Sequence, residues 1–260
     1  MKEAKIKILI LNYNGEDFLK NCLESVSSIN YSNYSIVLID NNSTDNSVKY
    51  IKSNYPEVEI VETGKNLMYS GGYNYFFENN NDDCFYMVLN NDTMVESNIL
   101  FHFMQGVERY GEENIYGSKI MFMHQKDKIW YGGGKVNLKK GIIRHLNIRD
   151  IDSSSLKDSE TDYISGCCLF AHSNIIRKLG GFDISFSMYM EDVDFCLRAN
   201  DMNIKCYFLS SPKVFHYVSG SVNWKFIKIV ISYAKLSFKH TGFSSFFNVP
   251  LFILRRFLSI

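Results

Sequence analysis

The chain reads as an α/β protein built on a mostly parallel, Rossmann-like sheet, with a smaller mixed sheet and amphipathic C-terminal helices. Three observations predict this. Apolar runs at residues 5–11, 35–39, 58–61 and 84–89 have strand length and alternate with helical or polar segments. The first, second and fourth runs each end in an Asn- or Asp-rich turn, where open α/β sheets deliver ligand-binding groups. The 260 residues are 46% hydrophobic, enough to bury a core of this size.

Residues 5–11 predict the first strand, closed by Asn12-Tyr13-Asn14-Gly15, and residues 16–29 a helix with Phe18, Leu19, Cys22, Leu23 and Val26 on one face. Residues 35–39 predict the second strand, and the Asp40-Asn41-Asn42-Ser43-Thr44-Asp45 run supplies capping groups for a helix over 46–54. After a third strand at 58–61, residues 66–74 read as a Gly-containing loop leading into 75–78. Short strands are expected at 117–123, 129–131 and 141–145 around Gly132-Gly133-Gly134, then a polar loop over 149–162. An apolar strand follows at 163–171, and Ser173 is a candidate N-cap for a helix ended by Gly180-Gly181. A helix over 193–200 and a strand over 205–209 complete this part.

The net charge is zero but unevenly spread: all 28 acidic residues lie within the first 201, while eight of the 28 basic ones follow. That asymmetry points to a basic tail that meets an anionic surface. The six cysteines have no metal-site or paired spacing and mostly sit in apolar runs, which predicts reduced core thiols and a cytoplasmic address. The N-terminal apolar run is too short for a signal peptide, and no ~20-residue apolar stretch predicts a membrane-spanning helix.

Four places carry candidate chemistry. Leu89-Asn90-Asn91-Asp92-Thr93 puts a carboxylate flanked by amides at a strand end, suited to a hard divalent cation shared with a phosphate ligand. The competing reading is an Asx turn whose Asp92 caps a helix beginning near Val95. Asp40 occupies the corresponding end of the second strand, suited to a base or ribose, or else to capping. Glu191-Asp192-x-Asp194 crowds three acids, so mutual repulsion raises at least one pKa toward general-base range. Asp194 with Arg198 reads instead as an i,i+4 pair. His216 is a candidate further metal donor. Trp130 and Tyr131 are candidates for stacking on sugar, with core packing favoured. No GxGxxG or GxxxxGK[ST] motif occurs, which disfavours dinucleotide and P-loop enzymes.

The ordered motifs Asn12-Tyr13-Asn14-Gly15, Val37-Leu38-Ile39-Asp40-Asn41-Asn42-Ser43-Thr44-Asp45, Asn66 with Gly71-Gly72-Tyr73-Asn74, and Leu89-Asn90-Asn91-Asp92-Thr93 are followed by Gly180-Gly181-Phe182-Asp183, Glu191-Asp192-Val193-Asp194 and His216. Together they resemble the family 2 glycosyltransferases of GT-A fold, in particular their bacterial rhamnosyltransferase-like branch, over residues 5–221. The resemblance implies a catalytic domain at 1–221, with a nucleotide-binding half (1–93) and an acceptor-binding half (94–221), and a basic helical tail at 222–260. It implies nucleotide contacts from Asn12, Asp40, Asn66, Asn90 and Asn91, with Asp40 on the base. Asp92 and His216 would hold Mg²⁺ or Mn²⁺, and Asp192 would be the catalytic base with Glu191 beside it. Asn90 departs from the usual first Asp of the DxD element and leaves Asp92 as the main charged ligand.

The implied reaction is inverting, metal-dependent transfer from dTDP-rhamnose or a UDP-sugar to a hydroxyl of a glycan or polyprenyl-diphosphate-linked acceptor, in surface polysaccharide (O-antigen type) synthesis. The expected address is the inner face of the bacterial plasma membrane, with no nucleic-acid partner. A sugar-phosphate nucleotidyltransferase would carry a Gly-rich basic loop after the first strand, and residues 12–18 offer none. A non-catalytic nucleotide-sugar-binding protein is disfavoured by the presence of Asp92, Asp192 and His216.

In the tail, Lys225, Lys228, Ser232, Lys235 and Lys239 fall on one helical stripe of an otherwise apolar helix, followed by Pro250 as the expected break. Such a stripe predicts an interfacial helix on anionic lipid. The alternative is packing on the catalytic domain or on a second copy of the chain.

Overall fold

The computed structural model describes residues 3–153, 155–186, 188–218 and 223–258, without the side chains of 223–225 and 257–258. The expected domain boundary at 221/222 and the Lys225 side chain lie outside the described residues.

Strands β1 (Ile6–Asn12), β2 (Tyr34–Asp40), β3 (Glu59–Glu62) and β4 (Phe85–Asn90) run parallel in the order β3-β2-β1-β4. Helices α1 (Glu16–Ser27), α2 (Ser47–Asn54) and α3 (Met68–Glu78) make the crossovers. Ile6, Ile8, Leu9 and Ile10 are all buried because helices cover both faces of the sheet, hence the continuous apolar runs. The sheet continues through β5 (Thr93–Val95), β6 (Ile115–Phe122) and β7 (Gln125–Tyr131), with α4 (Ile99–Tyr110) packed beside it. A separate hairpin joins β8 (Gly134–Asn137) to β9 (Ile142–His145). Next come β10 (Ser159–Glu160), β11 (Cys168–His172), α5 (Ser173–Leu179), α6 (Glu191–Asp201) and β12 (Cys206–His216). β11 inserts antiparallel between β4 and β6, while β12 lies parallel to β6. The mixed character of this half is as expected, and all six cysteines are buried.

Several expected boundaries are corrected. Residues 68–74 belong to α3 rather than to a loop. Asn66 Oδ1 accepts from the Met68 amide at 2.8 Å and starts the helix. A Cβ on Gly72 would lie 2.4 Å from Leu11 Cδ1, so glycine here serves close approach of helix to strand rather than a turn. No helix begins near Val95: residues 93–95 pair with β12, and the helix starts at Ile99. The expected strand at 163–171 is confined to Cys168–His172, because residues 163–167 turn aside to meet α3 and α6. The side-chain cap of α5 is His172, whose Nδ1 accepts from the Asn174 amide at 3.4 Å; Ser173 is already helical.

The tail forms α7 (Asn223–Thr241) and α8 (Ser245–Leu258), separated at Gly242–Ser244. Pro250 lies inside α8 rather than breaking it. Its turn faces solvent, where water can take the carbonyl left unpaired. Tyr233 anchors the pair by donating to the Leu138 carbonyl at 3.0 Å and stacking on Phe252 at 3.8 Å. The C-terminal part of the lysine stripe meets protein, while Lys228 is exposed. Ser232 donates to the Met188 carbonyl, Lys235 to the Ser185 carbonyl, and Lys239 reaches Asp183 and Asp194. Acidic and carbonyl groups of α6 and of the segment preceding it attract these ammoniums, leaving apolar side chains such as Phe243, Phe246 and Phe247 exposed. Among the described residues no helix is long and apolar enough to cross a membrane.

Candidate active site

Register places the first group. Asn12 is paired with Asp40, and Leu11 with Asn90, so three neighbouring parallel strands end together. Asn12 Nδ2 donates to Asp40 Oδ1 at 3.1 Å, and Asn91 Nδ2 donates to Asn12 Oδ1 at 2.9 Å. Asp40 also accepts from the Ser43 amide at 2.9 Å and the Ser43 hydroxyl at 2.6 Å. It therefore organises its own turn, whereas Asp45 accepts from the first amide of α2. Asn66, half-buried, sits at the start of α3; the neighbouring Met68 carbonyl accepts from Asn41 Nδ2 at 2.9 Å.

Asp92 and His216 come from segments more than 120 positions apart. The antiparallel pairing of β5 with β12 sets Thr93 opposite His216, and the Tyr217 amide donates to the Asp92 carbonyl at 2.9 Å. His216 Nε2 consequently stands 3.3 Å from Asp92 Oδ2. Asp92 Oδ1 and His216 Nδ1 are buried without a hydrogen-bond partner. Unpaired buried polar atoms are costly, and two at one contact have the free lone pairs that holding a ligand requires. A carboxylate with a neutral imidazole suits Mg²⁺ or Mn²⁺. Among the described residues no group of three or more His, Cys, Asp or Glu side chains could hold a metal. A cation here would take its remaining ligands from water and a diphosphate.

Asp192 and Glu191 open α6. Tyr189 and Met190 precede them at φ 69° and 71°, a sparsely populated conformation for non-glycine residues that costs about 1 kcal/mol or more each. That turn aims the acids at residues 165–167. Asp192 Oδ2 accepts from the Gly166 amide at 2.9 Å and Oδ1 from the Val193 amide at 2.8 Å. Burial nonetheless raises the Asp192 pKa. Burial, then the adjacent Asp192 charge, raises that of Glu191, whose Oε2 is buried without a partner. Residues 166 and 167 also link the two acidic centres: the Cys167 carbonyl accepts from the Asn90 amide at 3.1 Å. Both Asp92 and Asp192 add to the burial that raises the Cys167 thiol. Asp194, as expected, is a structural acid, 2.8 Å from Arg198.

Sequence reasoning missed two contributors, Tyr69 and His145. Tyr69 donates to the Gly166 carbonyl at 2.7 Å and lies beside the acidic pair; its place within the Asn66–Gly72 motif was the available signal. His145 stacks edge-on against Trp130 at 4.4 Å, and its Nδ1–H donates to the Trp130 carbonyl at 3.1 Å. Burial pushes His145 down to about 4, keeping the ring neutral. Trp130 in turn meets His216 at 4.7 Å and walls the Asp92 site. Tyr131 is fully buried, its hydroxyl donating to the Tyr163 carbonyl, so core packing holds for it.

The model of glycosyl transferase family 2 matches residues 7–178. Rhamnosyltransferase WbbL of Escherichia coli (strain K12) is 22% identical over 254 residues, covering 90% of this chain and 92% of that protein. The N-acetylglucosaminyl-diphospho-decaprenol L-rhamnosyltransferase of Mycobacterium tuberculosis is 24% identical, over 83% of this chain and 77% of that one. Among solved structures, GalNAc-T7 with UDP, GalNAc and Mn²⁺ superposes with a TM-score of 0.72 at 14% identity, covering 90% of this chain and 47% of that one. S. aureus TarS 1-349 in complex with UDP-GlcNAc gives 0.62 at 14% identity, over 97% and 72%. These structural likenesses identify the GT-A fold. With two thirds of its length matched by the family model and the motif order intact, the chain belongs to glycosyl transferase family 2.

Proposed function

We propose that this glycosyltransferase is inverting and uses a divalent metal, moving a sugar from dTDP-rhamnose or a UDP-sugar to a hydroxyl of a glycan or polyprenyl-diphosphate-linked acceptor in surface polysaccharide synthesis. The observation that carries this reading is the pairing of two centres across residues 166–167: Asp92 with His216, and Asp192 with Glu191. The two rhamnosyltransferase relatives support the donor and lipid-linked acceptor classes.

In this reading residues 1–93 hold the nucleotide, with Asn12, Asp40 and Asn66 around base and ribose and Asn90 and Asn91 near the diphosphate. Residues 94–221 face the acceptor. Mg²⁺ or Mn²⁺ held by Asp92 and His216 would offset charge on the departing nucleoside diphosphate. Asp192 accepts the acceptor hydroxyl proton as that oxygen bonds to the anomeric carbon. The bond to the diphosphate breaks on the opposite face, so the configuration inverts. Glu191, raised to about 8 by burial and by the adjacent Asp192 charge, holds its proton near neutral pH and leaves Asp192 as the ionised member of the pair.

The protein would work at the cytoplasmic face of the bacterial plasma membrane, with the exposed apolar side of α7 and α8 toward lipid. Phe243, Phe246 and Phe247 on a tail without acidic residues support that placement. A second copy of the chain on the same face is the competing partner, which light scattering would reveal. The deciding experiment incubates the enzyme with Mn²⁺ and a panel of nucleotide sugars, measuring nucleoside diphosphate release and the anomeric configuration of the product. Transfer with inversion is expected. Absence of nucleoside diphosphate binding, with and without metal, would overturn the reading.

A further inference from the structure

A groove of about 460 Å³ runs between the β8–β9 hairpin and α8. Ile142 and Ile143 from β9 line it with apolar surface above the buried Phe252 of α8, and Arg144, Arg255 and Arg256 with positive charge. No acidic side chain is among the lining residues, and none occurs in the sequence after Asp201.

The walls are held in place. A Cβ on Gly141 would lie 2.5 Å from the Phe252 backbone nitrogen, so glycine lets the hairpin press directly on α8. Phe252 is fixed from behind by its 3.8 Å stack on Tyr233. Arg255 is steered by Nε donating to the Lys140 carbonyl at 2.9 Å, and the Arg256 guanidinium lies 5.9 Å over the Phe252 ring.

The groove lies next to the acidic centres. Arg144 precedes His145, which contacts Trp130, which contacts His216. Arg256 is near enough to His145 for its charge to add to the burial that lowers that imidazole to about 4. On its outer side α8 carries Phe247, Leu251 and Leu254, all exposed and spaced four and three residues apart.

We propose that this groove binds the diphosphate and first isoprenoid units of a lipid-linked acceptor, with Arg144, Arg255 and Arg256 on the phosphates and Ile142 and Ile143 against the chain. Planar guanidinium groups match phosphate oxygens bidentately, and three of them suit two linked phosphates. A nucleotide or free phosphate has no use for the apolar floor, and a glycan without its lipid has none for the arginines. The exposed row on α8 continues the apolar path toward a bilayer, so an amphiphile fits along its whole length. This site assignment rests on the lipid-linked acceptor reading.

The test uses the full-length protein and farnesyl diphosphate below its micellar concentration, with a chelator present so that no metal bridges the diphosphate to Asp92. Binding is read by calorimetry. Farnesyl diphosphate is expected to bind more tightly than either farnesol or inorganic pyrophosphate. Arg144→Ala with Arg255→Ala should weaken it at least tenfold, Arg144→Lys with Arg255→Lys should weaken it less, and both pairs should keep wild-type nucleoside diphosphate binding in Mn²⁺. Undiminished binding by the alanine pair, no binding by wild type, equal binding of pyrophosphate, or loss of binding in Asp92→Asn would each overturn the proposal. Farnesyl diphosphate binding without turnover of any nucleotide sugar would sustain the groove while sinking the transferase reading. Sugar transfer with an indifferent groove would do the reverse.

Discussion

The carboxylate of Asp194, fully buried in the first turn of α6, accepts from the Lys239 ammonium at 2.7 Å and so ties the end of α7 to the helix that carries Asp192. Arg198 Nε at 2.8 Å and His240 Nε2 at 2.9 Å complete its coordination. Charged hydrogen bonds of this kind contribute about 1.5–3 kcal/mol. Lys239→Met should lower unfolding stability by roughly that amount, because Arg198 and His240 still pair Asp194. Asp194→Ala leaves three donors around a void and should cost about 3–5 kcal/mol. Urea unfolding followed by circular dichroism measures both, and unchanged midpoints would mean that the tail docks by apolar packing alone.

Lys239 also meets Asp183 at 2.6 Å. Burial alone would raise the Asp183 carboxyl, but the Lys239 ammonium and the Ser185 groups outweigh it and hold it at about 2. A carboxylate depressed in the folded state stabilises fully above its ordinary pKa near ~4 and loses that contribution as pH falls toward the folded value. Asp183→Asn should therefore lower the melting temperature at pH 7, with the deficit shrinking below pH ~4 and gone near pH ~2. A deficit constant with pH would assign the role of Asp183 to shape rather than charge.

Catalysis should follow ionisation of the Glu191–Asp192 pair, whose pKa values burial raises. A base with a raised pKa is protonated at low pH, so kcat/KM climbs with pH through that value. Glu191 holds its proton while Asp192 ionises, so Glu191→Gln should leave the acid limb in place. Asp192→Asn should reduce kcat by ~10²–10⁴-fold with nucleoside diphosphate affinity retained. A pH–rate profile for each variant distinguishes this order of ionisation from the reverse, in which Glu191→Gln would move the acid limb to lower pH.

Removing either member of the Asp92–His216 contact should change the Mn²⁺ requirement. His216→Ala keeps the carboxylate, so its Mn²⁺ activation curve should shift by at least ~10-fold and recover at high Mn²⁺. Asp92→Asn removes the only charged donor of the pair and should resist rescue. Activity titrated against Mn²⁺, alongside nucleoside diphosphate binding, reads both. Equal metal curves for wild type and His216→Ala would remove His216 from the donor set.

Local chemistry made the strand ends legible: buried runs stopping at Asn12, Asp40 and Asn90 could be read without partners, and register confirms that they end together. Adjacency between distant segments could not. A three-residue strand, β5, brings Asp92 to His216, and nothing local in residues 93–95 announces its pairing with β12. Gly72 mimicked a loop residue because helix-to-strand approach and turn formation ask for the same residue. Gly180-Gly181-Phe182-Asp183 proved to be a brace, with Asn74 donating to the Phe182 carbonyl at 2.7 Å and Arg198 to the Gly181 carbonyl at 2.8 Å. Ser232, Lys235 and Lys239 of the expected stripe do share one side of α7, but its direction depends on Asp183 and Asp194, set by tertiary contact rather than by the helix itself.

That reversal decides how the tail should meet a membrane. Lys235 and Lys239 are engaged by protein, so lipid contact falls to the apolar face, where Phe246 and Phe247 are 70% and 76% exposed. Burying one such ring in an apolar phase contributes about 1.5–3 kcal/mol, or roughly tenfold or more in partition. Phe246→Ser with Phe247→Ser should weaken co-sedimentation with phosphatidylglycerol vesicles by at least tenfold while sparing thermal stability, because neither ring packs in the core. Lys235→Glu should instead lower stability, since it loses its bond to the Ser185 carbonyl and brings a carboxylate toward that oxygen. Undiminished sedimentation of the double phenylalanine variant, together with a change in its mass by light scattering, would assign the face to a second copy of the chain.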